Sequence, residues 1–586
     1  MKCFRKEINL VLFVFFLQGI AYCQLSNAYE HNKTLTYAQT ISAYHQLDSM
    51  YRKGKLLEYG QTDAGKPLHL FVISNDADFN PASLKKKGRR VVMICNGIHP
   101  GEPCGIDASV KLAEDLLSNI TGKKLPEHVV ICIIPIYNIG GALNRSCCSR
   151  ANQNGPEEYG FRGNARNLDL NRDFIKCDSH NAKSFEEMFQ LWHPDIYVDT
   201  HTSDGADYSY VMTLITTQLD KLQADLSDFV KTRMLGVLYD DMEKAGYEMI
   251  PYVDKIGTTP EEGIRDFLET PRYSTGYTTL FNTIGFITEA HMLKPFKDRV
   301  LATYFFLLSV IRFTDSNHKA LEQVRKKADR EVSLQKDFTL SWKMDSSRFD
   351  TLSFKGYKAK YITSNVTGLN SLWYDPATPY QKEIPYYNHL IAKDVVKAPY
   401  AYIVPASREK VIERLKLNNI EMYRLKQDTT LEVEVYYINN YHTINSPFEG
   451  HYLHTEVQTR IENQRIRYHL GDYLIILNQA SNRYIVETLE PRATDSYFAW
   501  NFFDEILQQK EWFSDYLFAK KAEKMLQDNS AVKKLFEAKK STDKEFAANK
   551  WAMLEFLYRH SEWYEKEHMR YPVARVPEAI ALPLMD

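Results

Sequence analysis

A chain of 586 residues is too long for one ordinary core, so two or three domains are expected. With 44% hydrophobic and 25% charged residues it has the make-up of a globular protein and not of a disordered chain. With a formal net charge of only -2, nothing points to a nucleic-acid partner or to a strongly basic membrane-binding face.

The chain opens on MKCFRKEIN, with Lys2, Arg5 and Lys6, and continues in an apolar run from Leu10 to Leu17 and on through Gly19, Ile20 and Ala21. A basic start followed by a short apolar core reads as a secretory signal, too short to cross a bilayer comfortably. Cleavage near Cys23-Gln24 would make residues 1–23 the signal and the product exported, periplasmic or extracellular. Lipid anchoring through Cys23 is the alternative, disfavoured by the bulk of Tyr22 where such signals prefer a small residue. No later segment has the length and apolarity of a membrane span. Cys3 and Cys23 fall in the signal region, and the other six cysteines lie between Cys95 and Cys177. Cys95 and Cys132 suit small core residues, no pair has zinc-knuckle spacing, and disulfide pairing stays open.

Between residues 37 and 313 strand and helix patterns alternate. Helical spacing runs through TYAQTISAYHQLDSMY, and an apolar strand follows at RVVMICN. A helix is predicted from Pro103, because Ile106, Val110, Ala113, Leu117 and Ile120 recur at three- and four-residue steps. HVVICIIPIY, PDIYVDTH and IGFITEA read as further buried strands, with helices over residues 220–245 and 299–313. This alternation predicts an α/β fold with a largely parallel sheet covered on both faces. After a charged stretch at 322–336, residues 338–491 become rich in Tyr, Thr, Val and Ile in short alternating runs and read as β. Within them AYIVPASREKVIERLKLNNIEMYRL reads as a strand-helix-strand unit, and residues 500–564 read as charged helix.

Chemistry concentrates at predicted strand ends, where open α/β sheets bind ligands. NGIHPGEPCG sets His99 and Glu102 three apart in a Gly/Pro-rich loop between a strand and a helix. An imidazole and a carboxylate are two parts of a catalytic zinc set, which a third ligand and a water complete. PDIYVDTHTSDG ends another apolar strand on His201, the natural third candidate. Between them RGNARNLDLNRDF interleaves Arg162, Arg166 and Arg172 with asparagines and aspartates, a composition suited to binding a carboxylate. Glu289 closes the apolar run IGFITEA, where a carboxylate is costly unless paired or near a cation. Each stretch alone also fits a structural role: a solvated turn, a surface ion-pair lattice or a strand end.

The order H-x-x-E, R-x-N with D-x-N-R, His, Tyr and Glu resembles that of the carboxypeptidase A family of zinc metallopeptidases, over residues 35–315. The resemblance implies a mixed, largely parallel sheet flanked by helices for a catalytic domain at 30–320. A β-rich domain at 337–495 and a helical region at 496–586 would follow, and residues 398–575 resemble the C-terminal part of larger secreted bacterial members. It implies one zinc ion per chain on His99, Glu102 and His201, with Asp169 orienting the first histidine. It makes Glu289 the base that passes a proton from water to the leaving amine, and Arg162 the cation beside the oxyanion. Asn171 and Arg172 would hold the free C-terminal carboxylate of a peptide substrate, and Tyr273 (or Tyr277) would close over it. The uncharged stretch 277–281 would line the side-chain pocket and favour a neutral or apolar terminal residue. A zinc amidase acting on murein peptides or N-acyl amino acids is the alternative, and a non-catalytic peptide-binding homologue a further one. About a dozen residues separate the expected cut from the first helix, too few for a folded inhibitory domain, so constitutive activity is expected.

Overall fold

The computed structural model describes residues 27–119 and 121–585. The expected signal segment with Cys3 and Cys23, and Ile120, lie outside the described residues.

An eight-stranded sheet organises the first half. Its strands are β1 (Gly54–Gln61), β2 (Pro67–Ile73), β3 (Arg90–Cys95), β4 (Val129–Ile134), β5 (Ile196–His201), β6 (Met212–Thr216), β7 (Met249–Pro251) and β8 (Ile284–Ala290). They are ordered β1-β2-β4-β3-β5-β8-β6-β7. The centre is parallel, β4 with β3, β3 with β5 and β5 with β8, while β1, β2 and β6 run antiparallel to a neighbour. Strands β3, β4 and β5 carry almost unbroken apolar runs because both faces are covered, so their side chains alternate between two cores. Val92, Ile94 and Val198 point to one core, and Met93, Cys95 and Tyr197 to the other.

Helices α1 (Tyr37–Met50), α2 (Cys104–Ser118) and α4 (Phe296–Ser316) serve the first core, while α3 (His180–Trp192) serves the second. Helix α1 starts on a capping box, in which the Thr36 side chain accepts from the Gln39 backbone and Gln39 returns the bond. Helix α2 can press onto β5 only because Gly105 lacks a side chain: a Cβ there would meet Thr200 Oγ1 at 2.0 Å. Residues 220–245 are not one regular helix. Ala224–Phe229 and Leu235–Lys244 flank a wider turn at Val230–Met234. That turn keeps Val230, Met234, Leu238 and Met242, spaced by four, on the buried side, where 3.6-residue turns would let them drift.

The second half is not a separate body. Helix α5 (His318–Leu334) carries the charged stretch into it. The hairpin β9 (Asp350–Thr363) and β10 (Asn370–Tyr387) joins a four-stranded sheet. A six-stranded sheet then holds the long hairpin β11 (Thr429–Thr443) and β12 (His454–Tyr468) with four short strands. One of these, Ala574–Val576, brings the tail predicted as helical back into the sheet. The predicted strand-helix-strand unit is present as Ala401–Val404, Glu409–Leu417 and Tyr423–Arg424. Tyr402, Tyr484, Tyr497 and Trp500 share one core with Phe185, Phe189 and Tyr277, so the C-terminal half covers the second face of the large sheet. Among the described residues Cys147 and Cys148 form a disulfide, and Cys95, Cys104, Cys132 and Cys177 are free and buried.

Candidate metal centre and peptide pocket

Three side chains from two strand ends meet at the carboxyl edge of the sheet. His99 and Glu102 come from the turn after β3, closed by the Glu102 N–H donating to the His99 carbonyl at 2.8 Å, and His201 is the last residue of β5. All three are 3% exposed, and donor atoms of the three lie within 4.8 Å of one another. Nδ1 of His99 and Nδ1 of His201 both face Glu102, at 3.3 and 3.0 Å. Their Nε2 atoms face outward to Asp169 and Asp199, each at 2.9 Å. For His99 the hydrogen bond to Asp169 holds the proton on Nε2 and leaves Nδ1 as a lone-pair donor, whereas His201 Nε2 lies close to Asp199 without a hydrogen bond. Nδ1 of His99 is buried without a hydrogen bond. Two imidazole nitrogens and a carboxylate, one nitrogen without a hydrogen bond, suit zinc with a place left for water.

Charges around the cluster are arranged in rings. Burial alone would raise the Glu102 carboxyl, yet Arg150 and His99 hold it well below the usual carboxylate range. Burial disfavours a charged His201, but Asp199 and Glu102 raise its pKa well above the ordinary value. Asp169 is likewise held low against its burial by His99, Arg162 and Arg172. It is the hub of the region: Oδ1 takes His99 and the Asn171 N–H, each at 2.9 Å, and Oδ2 takes Arg162 Nε at 2.9 Å.

Glu289 stands on β8 in register with His201. Burial pushes its pKa up to about 8, with His201 opposing and Glu102 and Asp199 adding. A cation held by the neighbouring ligands would pull it down again. Partial desolvation lowers the Arg162 pKa, but Asp169 and Glu102 beside it raise it above the ordinary value. Arg172 lies over the Tyr273 ring at 4.4 Å, and Asn171 Oδ1 accepts the Ser274 N–H at 3.2 Å, joining the carboxylate-binding candidates to the segment carrying Tyr273.

Every candidate except Asp169, which stands behind His99, lines one cavity of about 290 Å³. Tyr273 lines it, whereas Tyr277 is fully buried in the second core and donates to Asn418 Oδ1 at 2.6 Å. The expected side-chain pocket at 277–281 is therefore core. Ile215, Tyr252, Phe267, Glu269 and Ile287 line the cavity instead, and burial raises the pKa of Glu269. A larger cavity, of about 570 Å³, lies around Trp192, His193, Asn418 and Ser481 and touches none of the candidates.

Two contributors escaped the sequence reading. Arg150 donates to Glu102 Oε1 at 2.7 Å and to the Thr202 carbonyl at 3.0 Å, from a loop with no periodic signal. Its side chain fills the space over Gly101, where a Cβ would meet Arg150 Cδ at 3.0 Å. Asp199 was within reach of pattern reasoning, since two-residue alternation along β5 puts it on the same face as His201.

Residues 41–229 match the Peptidase_M14 family model, described as zinc carboxypeptidase. Carboxypeptidase 2 of Trichophyton rubrum is 23% identical over 71% of this chain and 74% of its own length. Carboxypeptidase 2 of Trichophyton equinum is 22% identical over 69% and 72%. Among solved structures, a metallo-carboxypeptidase from Burkholderia cenocepacia aligns over 48% of this chain and 70% of its own, at 13% identity and a TM-score of 0.36. Carboxypeptidase A from Helicoverpa armigera aligns over 52% and 81%, at 12% identity and a TM-score of 0.37. The family match lies across the loop and the strand end that bring His99, Glu102 and His201 together, a set of side chains that could hold a metal ion.

Proposed function

We propose that this protein removes single residues from the C-terminus of peptides, with His99, Glu102 and His201 holding the zinc ion and Glu289 acting as general base. The observation that carries this reading is the register of β5 and β8, which sets Glu289 beside His201 in the cavity that Asn171 and Arg172 also line.

Zinc, when bound, supplies positive charge that polarises a peptide carbonyl and acidifies water. Arg172 and the Asn171 amide hold the substrate carboxylate, which leaves only the last peptide bond over Glu289. Glu289 takes a proton from the attacking water and returns it to the leaving amine. Arg162, kept cationic by Asp169 and Glu102, faces the charge that develops on the carbonyl oxygen. Tyr273, stacked with Arg172, covers the bound carboxylate and excludes water. Export is part of the proposal and rests on the basic, then apolar, N-terminal stretch.

The test is zinc content and mass-spectrometric mapping of peptide cleavage, for protein lacking residues 1–23 and for its Glu289→Gln variant. One zinc per chain, loss of single C-terminal residues, and a variant that keeps zinc but not turnover are expected. Zinc binding with release of diaminopimelate from murein peptides alone would overturn the peptide reading in favour of an amidase. A chain that binds no zinc would overturn the metal assignment.

A further inference from the structure

The hairpin of β11 and β12 ends in a loop whose tip is Glu449–Gly450, and both residues are left-handed, with φ of 50° and 83°. Phe448 and His451 close this tip reciprocally, by N–H to carbonyl bonds of 2.8 and 3.0 Å. Positive φ at both central residues is the turn geometry that favours Asn-Gly, and a glutamate there is strained. The strained side chain leaves its own sheet: Glu449 Oε2 accepts the backbone N–H of Asp169 at 2.7 Å, across 280 residues of chain.

The neighbours of Glu449 grip the same region. His451 Nε2 lies 2.7 Å from Asp178 Oδ2. The Arg272 guanidinium faces Phe448 at 5.5 Å and Trp500 at 5.1 Å, and Asp495 binds both its backbone N–H, at 3.0 Å, and its Nε, at 2.8 Å. Arg272 precedes Tyr273. Both walls of the carboxylate end of the cavity, the Asp169–Arg172 turn and the segment of Tyr273, thus lean on the C-terminal half.

We propose that Glu449 is a positioning residue for substrate binding: through it the C-terminal half fixes the Asp169–Arg172 turn so that Asn171 and Arg172 meet the substrate carboxylate. This rests on the reading of Asn171 and Arg172 given above. A residue that breaks the local turn rule where its side chain supports a site marks function and not hairpin stability. The inference separates the two, because asparagine suits the turn better yet is too short to reach Asp169.

In the full chain Glu449→Asn should keep its zinc and keep or raise its melting temperature. Its KM for peptides with a free C-terminal carboxylate should rise about tenfold, with kcat within about threefold. Glu449→Gln keeps the length and the acceptor, and should stay close to the parent. An unchanged KM in the Asn variant, or an equal loss in the Gln variant, would overturn the inference. Calorimetric binding of a peptide and of its C-terminal amide, on the Glu289→Gln background, separates the two levels. No preference for the carboxylate before Glu449 is changed would overturn the Asn171–Arg172 assignment and this inference with it. A preference that survives Glu449→Asn would overturn this inference alone.

Discussion

His99 and His454 are both buried imidazoles beside a carboxylate, one in each half of the molecule. His454 is closed on both sides, Nδ1 against Thr443 Oγ1 at 2.9 Å and Nε2 against Asp504 Oδ1 at 3.0 Å. His99 is hydrogen-bonded through Nε2 alone, to Asp169; its Nδ1 faces the Glu102 carboxylate at 3.3 Å but is buried without a hydrogen bond. The same contrast holds for two arginines paired with carboxylates. Arg575 spends its three nitrogens on Glu434, Tyr436, Glu490 and the Lys397 carbonyl, within the C-terminal half. Arg162 also reaches Asp169 and Glu102, but its side chain stays 45% exposed at the cavity. Satisfied polarity specifies a fold; polarity left open at a strand end is where a ligand can supply the missing partner.

The sharpest way to break this comparison is to remove the open carboxylate. Glu289→Gln should lower kcat about 10²–10⁴-fold, without change in zinc content or melting temperature, as steady-state kinetics and metal analysis would report. Removing a closed partner should do the opposite. Glu490→Ala leaves Arg575 buried without its main counter-charge and should cost about 3–5 kcal/mol in denaturant unfolding, with kcat per folded molecule unchanged. Arg172→Ala should raise KM for free-carboxylate peptides about 10–100-fold and leave amidated peptides almost unaffected, since it removes one charge-assisted contact.

The smallest effect concerns pH. Glu186 is buried, and that burial raises its pKa to about 8, while the Cys177 thiol, Arg414 and Asn418 oppose. The folded state therefore holds this proton more tightly than the unfolded state, so its contribution to stability is present below the ordinary carboxylate range and declines as pH rises towards 8. Glu186→Gln should remove that decline, with midpoints closest to the parent near pH 5 and higher than the parent near pH 9. A parallel fall of parent and variant would count against it.

Much of the first half was legible because its strands are buried on both faces. Arg90–Cys95, Val129–Ile134 and Ile196–His201 carry apolar runs that only a covered sheet needs, and the chain order of H-x-x-E, D-x-N-R, His and Glu followed their ends. Local spacing failed where packing chose between equivalents. Tyr273 and Tyr277 are one helical turn apart, and only the core decided that Tyr277 points to Phe174, Phe189 and Asn418 while Tyr273 faces Arg172. The return of Ala574–Val576 to a sheet was equally hidden, because three residues carry no period.

By itself the sequence determined which residue types stand at strand ends, since alternation and burial are written into each strand locally. Only the tertiary structure decided that Arg150 holds Glu102, that the C-terminal half covers the second face of the sheet, and that Glu449 reaches Asp169. These contacts join segments that are distant along the chain and close only after the sheet and hairpin have packed, so no local pattern records them.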